Sequence, residues 1–158
     1  MSFEEFREIV GRLRGEDGCP WDKAQTFESL KPCMIDEMTE ALAGIDIYRE
    51  TGDAGNLCEE LGDVLLQVVL MAQIAEEAGL FTIDDVIRGI GEKMVRRHPH
   101  VFAGQSVKDR EAQLQQWEEI KSREKQGQNA KQKDKEKAAF SQASKQVREH
   151  LEKKLKRS

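Results

Sequence analysis

The segment from Glu59 to Ala75, EELGDVLLQVVLMAQIA, is apolar on nearly every face of a helix, yet it begins with acidic residues. Two of these acids, Glu60 and Asp63, are three residues apart and therefore lie on one side of the helix. Burying an unpaired carboxylate is costly, so both side chains need a partner. The apolar surface must in turn be covered by other helices or by another subunit.

The rest of the chain also has helical patterning, and no strand signal competes with it. Apolar spacing, Gly and Pro breaks and capping residues predict helices at about residues 3–14, 32–49, 56–78, 82–98 and from about 106 onward. A short helical turn is expected just before Pro32. The predicted fold class is all-α: a helical bundle in which the second and third predicted helices form an antiparallel hairpin.

The second predicted helix carries an acidic pair, Glu37 and Glu40, that matches Glu60 and Asp63 on the third. Both pairs have the same angular offset from the apolar stripe of their helix. The midpoints of the two pairs are also equally far along the chain from residue 50, which lies beside the break at Thr51, Gly52 and Asp53. An antiparallel hairpin therefore brings the four carboxylates level with one another.

Four carboxylates in one small volume repel each other strongly unless a cation lies among them. Ligands that are all oxygen suit a hard ion, Mg²⁺ or Mn²⁺. The predicted metal ligands are therefore Glu37, Glu40, Glu60 and Asp63. The alternative is that each pair lies on a solvated helix face. A di-iron carboxylate bundle is excluded, because neither pair has the Glu-x-x-His spacing.

Charge is distributed unevenly along the chain. Residues 123–158 hold 12 Lys/Arg and 5 Asp/Glu, so residues 1–122 carry −12 of a total net charge of −5. An acidic body of this kind argues against a nucleic-acid groove, and it can accept an anionic substrate only through a bridging cation. We expect residues 1–122 to form the functional domain and residues 123–158 a basic, polar tail, partly helical or disordered.

The cellular setting is also suggested by composition. The three cysteines are scattered without metal-binding spacing, which is typical of reduced thiols. The sequence has no apolar run of 18 residues, and we expect no signal peptide. We therefore expect a soluble cytoplasmic protein that does not associate with membranes.

Four ordered stretches, GCPWDKAQTFESLKP, DEMTEAL, EELGDVLLQVV and EKMVRRHPHVF, resemble the MazG family. The resemblance covers about Phe3 to Lys121. This family belongs to the all-α nucleoside triphosphate pyrophosphohydrolases. The resemblance implies hydrolysis of NTP or dNTP to the monophosphate and pyrophosphate with Mg²⁺, in nucleotide-pool sanitation or regulation.

The family's metal motif falls on Asp36, Glu37, Glu40, Glu60 and Asp63. The helical positions place Asp36 apart from the other four, so it is only a possible ligand. A carboxylate that the metal does not saturate can accept a proton from the attacking water, and Glu37 and Glu40 are the candidates.

The resemblance also implies roles for basic and aromatic residues in the second half of the chain. Lys93 and Arg97 are expected to act in catalysis and to bind the triphosphate, and Trp117 and Lys121 are expected to bind substrate. The alternatives are a solvated helix face for Lys93 and Arg97, and core packing for Trp117.

Two alternatives stay open for assembly and activity. The apolar hairpin favours a homodimer whose two hairpins form a four-helix bundle, and the family assembles in this way. The first and fifth predicted helices could instead cover the hairpin in a monomer. The alternative to an enzyme is a non-catalytic helical module that binds a nucleotide or a protein partner.

Overall fold

The computed structural model describes residues 1–126 and 129–157, and its regular secondary structure over these residues is entirely helical. The all-α prediction is therefore confirmed. In chain order the described helices are α1 (Phe3–Arg14), α2 (Pro20–Lys23), α3 (Phe27–Thr51), α4 (Gly55–Glu77), α5 (Ile83–Arg97), α6 (Pro99–Phe102), α7 (Arg110–Lys125) and α8 (Ala130–Leu155). None of these helices combines the length and the apolar character that crossing a membrane requires.

The chain divides into two compact units. Unit 1 comprises Met1–Ile83 together with the described residues from His150 onward, and unit 2 comprises the described residues of Asp84–Glu149. Helix α8 therefore contributes residues to both units.

The start of α1 follows directly from its sequence. The Ser2 hydroxyl accepts a hydrogen bond from the Glu5 backbone N–H at 3.2 Å, and the Glu5 carboxylate accepts one from the Ser2 backbone N–H. This reciprocal pair satisfies two donors that a helix start leaves unpaired. The predicted helix over residues 3–14 is confirmed at both ends.

Helix α3 begins earlier than the sequence suggests. A new start at Pro32 is wrong, because one continuous helix runs through Pro32 from Phe27. Thr26 and Ser29 cap this start reciprocally, with distances of 2.9 and 3.2 Å between the hydroxyl oxygens and the backbone nitrogens. Fully buried Leu30 anchors the first turns in the core. These contacts outweigh the one helical hydrogen bond that Pro32 cannot donate.

Helices α3 and α4 form the predicted hairpin. Gly52 ends α3 in the left-handed region, at φ 76°, and its N–H donates to the Tyr48 carbonyl at 2.8 Å. The two helices approach closely beyond the turn, since a Cβ on Gly44 would lie 3.0 Å from the Leu57 Cα. This pairing of α3 with α4 sets the register of every side chain along the hairpin.

The hairpin is buried unevenly. The second half of α4 packs with α1 and the start of α3 in a core of Val10, Leu30, Val69, Leu70, Ala72, Ile74 and Ile83. The half nearer the turn is much more open. Its large apolar side chains are 42 to 60% exposed at Met38, Leu42, Ile45, Leu61 and Leu65. These five residues define an apolar face that unit 1 does not cover by itself.

An ion pair ties α1 to the end of α4. The Arg14 guanidinium donates to both carboxylate oxygens of Glu77, at 2.8 and 2.7 Å. It also donates to the backbone carbonyls of Asp22 and Gln25. Because the Arg14 side chain is only 7% exposed, this one residue fixes three segments of unit 1.

Unit 2 follows the predicted pattern with two differences. Helix α5 ends at Arg97, before Pro99 as predicted, but the short helix α6 then follows it. Helix α7 begins at Arg110, so the predicted start near Ser106 is too early. The reason is the cap: the Asp109 carboxylate accepts from the Ala112 N–H at 2.9 Å.

Candidate functional site

Three acids meet on the inner side of the α3–α4 hairpin. Glu37 of α3 and Glu60 and Asp63 of α4 each offer a carboxylate oxygen, and these oxygens all lie within 4.8 Å of one another. We call these three residues the acidic trio. They meet because the tight turn at Gly52 makes the two helices antiparallel, which brings acids on the two sides of the turn level with one another.

The trio carries more negative charge than its surroundings neutralise. Burial raises the pKa of Glu37, and the charges of Asp63, Glu40, Glu60 and Asp36 raise it further. A cation among these carboxylates would remove that repulsion. The donors are all oxygen, which is the ligand type of hard divalent ions. The acidic trio therefore fits a divalent metal ion.

Two polar side chains of α4, Asn56 and Gln67, lie within about one helical turn of the trio's α4 acids. The Asn56 side-chain amide donates to Glu60 Oε1 at 3.0 Å, which orients that carboxylate. Gln67 lies one turn beyond Asp63 on the same side of the helix. It is only 6% exposed, and its Oε1 has no hydrogen-bond partner among the described residues. Sequence analysis did not single out Gln67, because a polar residue in an apolar helix gives no sign of whether its amide is satisfied.

Glu40 does not belong to the trio. Its Oε1 accepts a hydrogen bond from Lys154 Nζ at 3.0 Å, and the same Nζ lies 3.0 Å from Asp36 Oδ1. His150 Nε2 lies 2.9 Å from Asp36 Oδ1. The predicted group of four carboxylates is thus divided: three acids converge, and the fourth is held with Asp36 by a basic segment.

The electrostatics of Asp36 reflect these contacts. Burial acts to raise the pKa of Asp36, but hydrogen bonds with His150 and Lys154 and their charges outweigh it and lower the pKa. His150 and Lys154 were missed by the sequence analysis. They are 114 residues from their partners, and the uneven charge distribution is the one signal that points to such a contact.

In unit 2, three of the four expected substrate-binding residues form one cluster. The Trp117 ring is contacted by Arg97, whose Cζ lies 5.3 Å from the ring centroid, and by Lys121, whose Nζ lies 4.6 Å from it. A small cavity of about 210 Å³ adjoins the ring. Lys93 is half-buried on α5, one turn before Arg97.

Arg97 also belongs to an ion-pair network. Its Nε and Nη2 donate to Glu124 Oε2 at 3.1 and 2.6 Å, and Arg96 Nε donates to Oε1 at 2.6 Å. Hydrogen bonds from Arg97 and then Arg96 lower the pKa of Glu124 to about 2. Arg97 is therefore held in place by an acid and an aromatic ring.

The sequence that forms this site matches a known family. Residues 25–102 match the model of the MazG nucleotide pyrophosphohydrolase domain. The matched range contains the acidic trio, Asp36, Glu40, Lys93 and Arg97. Trp117, Lys121, His150 and Lys154 lie outside it.

Curated relatives agree with the family match. The chain is 53% identical over 126 residues to the nucleoside triphosphate pyrophosphohydrolase/pyrophosphatase MazG of Thermotoga maritima, covering 78% of this chain and 45% of that one. It is 47% identical over 117 residues to the nucleoside triphosphate pyrophosphohydrolase of Escherichia coli K12, covering 73% and 43%. It is 58% identical over 123 residues to the uncharacterized protein YabN of Bacillus subtilis, covering 78% and 24%. The chain thus spans less than half the length of each of these relatives.

Proposed function

Because the chain belongs to the MazG family, we propose that it is a nucleoside triphosphate pyrophosphohydrolase. It adds water to NTP or dNTP and releases NMP or dNMP and pyrophosphate, a hydrolysis of a phosphoric anhydride. The observation that carries this proposal is the convergence of Glu37, Glu60 and Asp63 within the matched range. We expect the protein to act in the cytoplasm, in sanitation or regulation of the nucleotide pool.

The proposed cofactor is Mg²⁺, with Mn²⁺ as an alternative. The acidic trio would hold it, and Glu40 would complete the four-carboxylate set. When bound, the ion supplies positive charge to the phosphate oxygens and lowers the pKa of the attacking water. Asp36 is the weakest candidate ligand, since its carboxylate is already held by His150 and Lys154.

A carboxylate is proposed to accept the proton of the attacking water. Burial and the neighbouring carboxylates raise the pKa of Glu37, which favours its accepting a proton. Glu40 lies outside the trio, so of the four carboxylates it is the one that the metal would saturate least, but Lys154 must first release it. Both residues stay in the proposal, because each meets one of the two requirements of a base at a metal site.

Lys93 and Arg97 are proposed to bind the triphosphate through charged hydrogen bonds. The contact with Glu124 fixes the direction of the Arg97 guanidinium, which favours a defined geometry for phosphate binding. Trp117 and Lys121 are proposed to bind the nucleoside part of the substrate. Trp117 offers an aromatic face for stacking, while core packing remains the alternative role for this ring.

The unit that functions is proposed to be a homodimer. The apolar face defined above, formed by Met38, Leu42, Ile45, Leu61 and Leu65, is large and uncovered in a single copy of unit 1. A second hairpin related by two-fold symmetry would cover it and form a four-helix bundle.

The decisive experiment is a pyrophosphate-release assay with Mg²⁺ on a panel of NTPs and dNTPs. We expect turnover of one or more substrates that stops when EDTA removes the metal. Binding of nucleotide without turnover across the whole panel would instead support the non-catalytic module and reject the enzyme.

A further inference from the structure

A basic segment, residues 150–157, contacts the acidic end of the hairpin. It carries four Lys/Arg and one Glu, and its three ion pairs with α3 are made by the basic side chains of His150 and Lys154. Lys154 Nζ lies 3.0 Å from both Glu40 Oε1 and Asp36 Oδ1, and His150 Nε2 lies 2.9 Å from Asp36 Oδ1. The reaction proposed above assigns no role to either basic residue.

The contact has a regular structural basis. His150 and Lys154 are four residues apart and lie on one side of α8, and Asp36 and Glu40 have the same spacing on α3. The side chains of α8 become less exposed at the residue where this contact begins. Residues 130–149 of α8 are all exposed, whereas His150 and Leu151 are half-buried. The end of α8 therefore belongs to unit 1 and packs its side chains against α3.

The contact uses a carboxylate that the proposed metal site needs. Glu40 is the fourth member of the proposed ligand set, yet in this structure Lys154 neutralises it together with Asp36. An ammonium group and a divalent ion are alternative counter-charges for one carboxylate. The Lys154 ammonium and a metal ion could bind Glu40 together only by taking one carboxylate oxygen each. Each cation would then interact with Glu40 less strongly than it does alone.

We propose that the basic segment competes with divalent metal for Glu40, so that metal binding at the acidic trio recruits Glu40 and releases Lys154 and His150. The segment thus acts as an internal counter-ion for Asp36 and Glu40 in the metal-free protein. This inference rests on the proposed metal site. It adds a residue-level reason for the basic charge that follows the family domain.

The size of the effect can be bounded. Competition multiplies the apparent metal affinity by the fraction of molecules in which Lys154 is not bound to Glu40. Lys154 and Glu40 are about half exposed, at 48 and 47%, so their ion pair is of the weak, solvent-screened kind. Removing the Lys154 charge should therefore tighten metal binding by about twofold to tenfold at low ionic strength.

The first test measures Mn²⁺ binding to the full chain by isothermal titration calorimetry. Lys154→Gln should bind Mn²⁺ about twofold to tenfold more tightly than wild type, and the gain should shrink in high salt because the competing contact is screened. Lys153→Gln is the matched control: it removes the same charge from the adjacent exposed position and should keep wild-type affinity. Equal affinity of Lys154→Gln and wild type, or weaker binding, overturns the competition.

The second test follows the segment itself. We expect Mg²⁺ to shift the NMR signals of the His150 ring toward those of an Asp36→Asn variant, which lacks the contact. The ring of His98 in unit 2 serves as the internal control and should not change in the same way. A His150 signal that is unaffected by saturating Mg²⁺ overturns release of the segment.

The two levels of the proposal fail differently. If wild type binds no divalent ion, the metal site and the competition are both wrong. If Mn²⁺ binds and pyrophosphate release is intact while Lys154→Gln has wild-type affinity, the competition alone is wrong.

Discussion

At the scale of single residues, Asp63 and Glu60 are the acids whose removal should be most informative. We expect Asp63→Asn or Glu60→Gln to lower turnover by about 100-fold or more, since even residues that only support metal ligands contribute 10–100-fold. The fold should survive, because one negative charge fewer relieves repulsion in the acidic cluster. Steady-state pyrophosphate release and thermal unfolding of the metal-free protein measure the two effects.

Glu59→Gln is the control for this prediction. Glu59 is the neighbour of Glu60 in sequence but is exposed, and it is not part of the acidic trio. Its substitution should leave turnover unchanged. Wild-type activity of Asp63→Asn at ordinary Mg²⁺ concentrations would show that the trio does not hold the catalytic metal.

Arg97 and Arg96 allow phosphate binding to be separated from local structure. Both donate to Glu124, but the Arg97 side chain is 14% exposed and contacts Trp117, whereas Arg96 is 52% exposed. Arg97→Ala should lower kcat/KM by an amount that corresponds to roughly 1–3 kcal/mol of lost transition-state stabilisation, the value of a charged hydrogen bond. Lys93→Ala should have a similar effect. Arg96→Ala should lose the shared ion pair and keep the kinetics. Equal kinetic losses in Arg96→Ala and Arg97→Ala would assign Arg97 a structural role.

At the scale of helices, the bond between Arg14 of α1 and Glu77 of α4 should be a measurable part of the stability of unit 1. Glu77→Gln should reduce the free energy of unfolding at neutral pH by about 1–2 kcal/mol, a value kept low because Glu77 is 39% exposed. Glu76→Gln is the control. Its carboxylate lies 3.9 Å from Arg7, and its loss should cost less than about 0.5 kcal/mol.

The same bond predicts a dependence on pH. The hydrogen bond from Arg14 lowers the pKa of Glu77 from its usual value of 4.5. Below that usual value the unfolded state binds a proton that the folded state does not, so stability falls as the pH falls. The difference in free energy of unfolding between wild type and Glu77→Gln should be largest above pH 4.5. It should disappear as the pH falls through the pKa of Glu77 in the folded protein. Denaturant unfolding across this range measures it, and a gap that is independent of pH would contradict the ion pair.

Helix positions were predictable where local signals agree. The caps at Ser2 and the left-handed stops at Gly52 and Gly79 depend on neighbouring residues, so α1 and the ends of the hairpin helices follow from sequence. Pro32 misled the prediction, because the cap of Thr26 with Ser29 and the tertiary burial of Leu30 stabilise a helix that continues through the proline.

The candidate site divides in the same way. Helical period and an antiparallel turn were enough to bring Glu37, Glu60 and Asp63 together. The separation of Glu40 was not predictable, because it depends on Lys154, whose approach no local pattern encodes.

At the scale of the whole molecule, the uncovered apolar face predicts association. Sedimentation equilibrium at micromolar concentration should give twice the chain mass of 18.0 kDa. Leu61→Glu should shift the protein to the monomer, because it places a charge in an apolar interface. Leu80→Glu is the control: Leu80 is 64% exposed but lies outside the hairpin, and the dimer should persist. A wild-type protein of single-chain mass would refute the dimer.

The single tight turn at Gly52 also has a consequence for how the site arises during folding. Every acid of the trio lies between residues 37 and 63, on two helices joined directly by that turn. Contacts that are close in sequence form quickly, because closing a short loop loses little chain entropy. The cluster can thus assemble as soon as one hairpin closes, before distant parts of the chain have docked. Because these ligands lie on one hairpin, they would stay together if the hairpin were joined to other sequences. This accords with two relatives in which the matching region makes up 24% and 45% of the relative's own length.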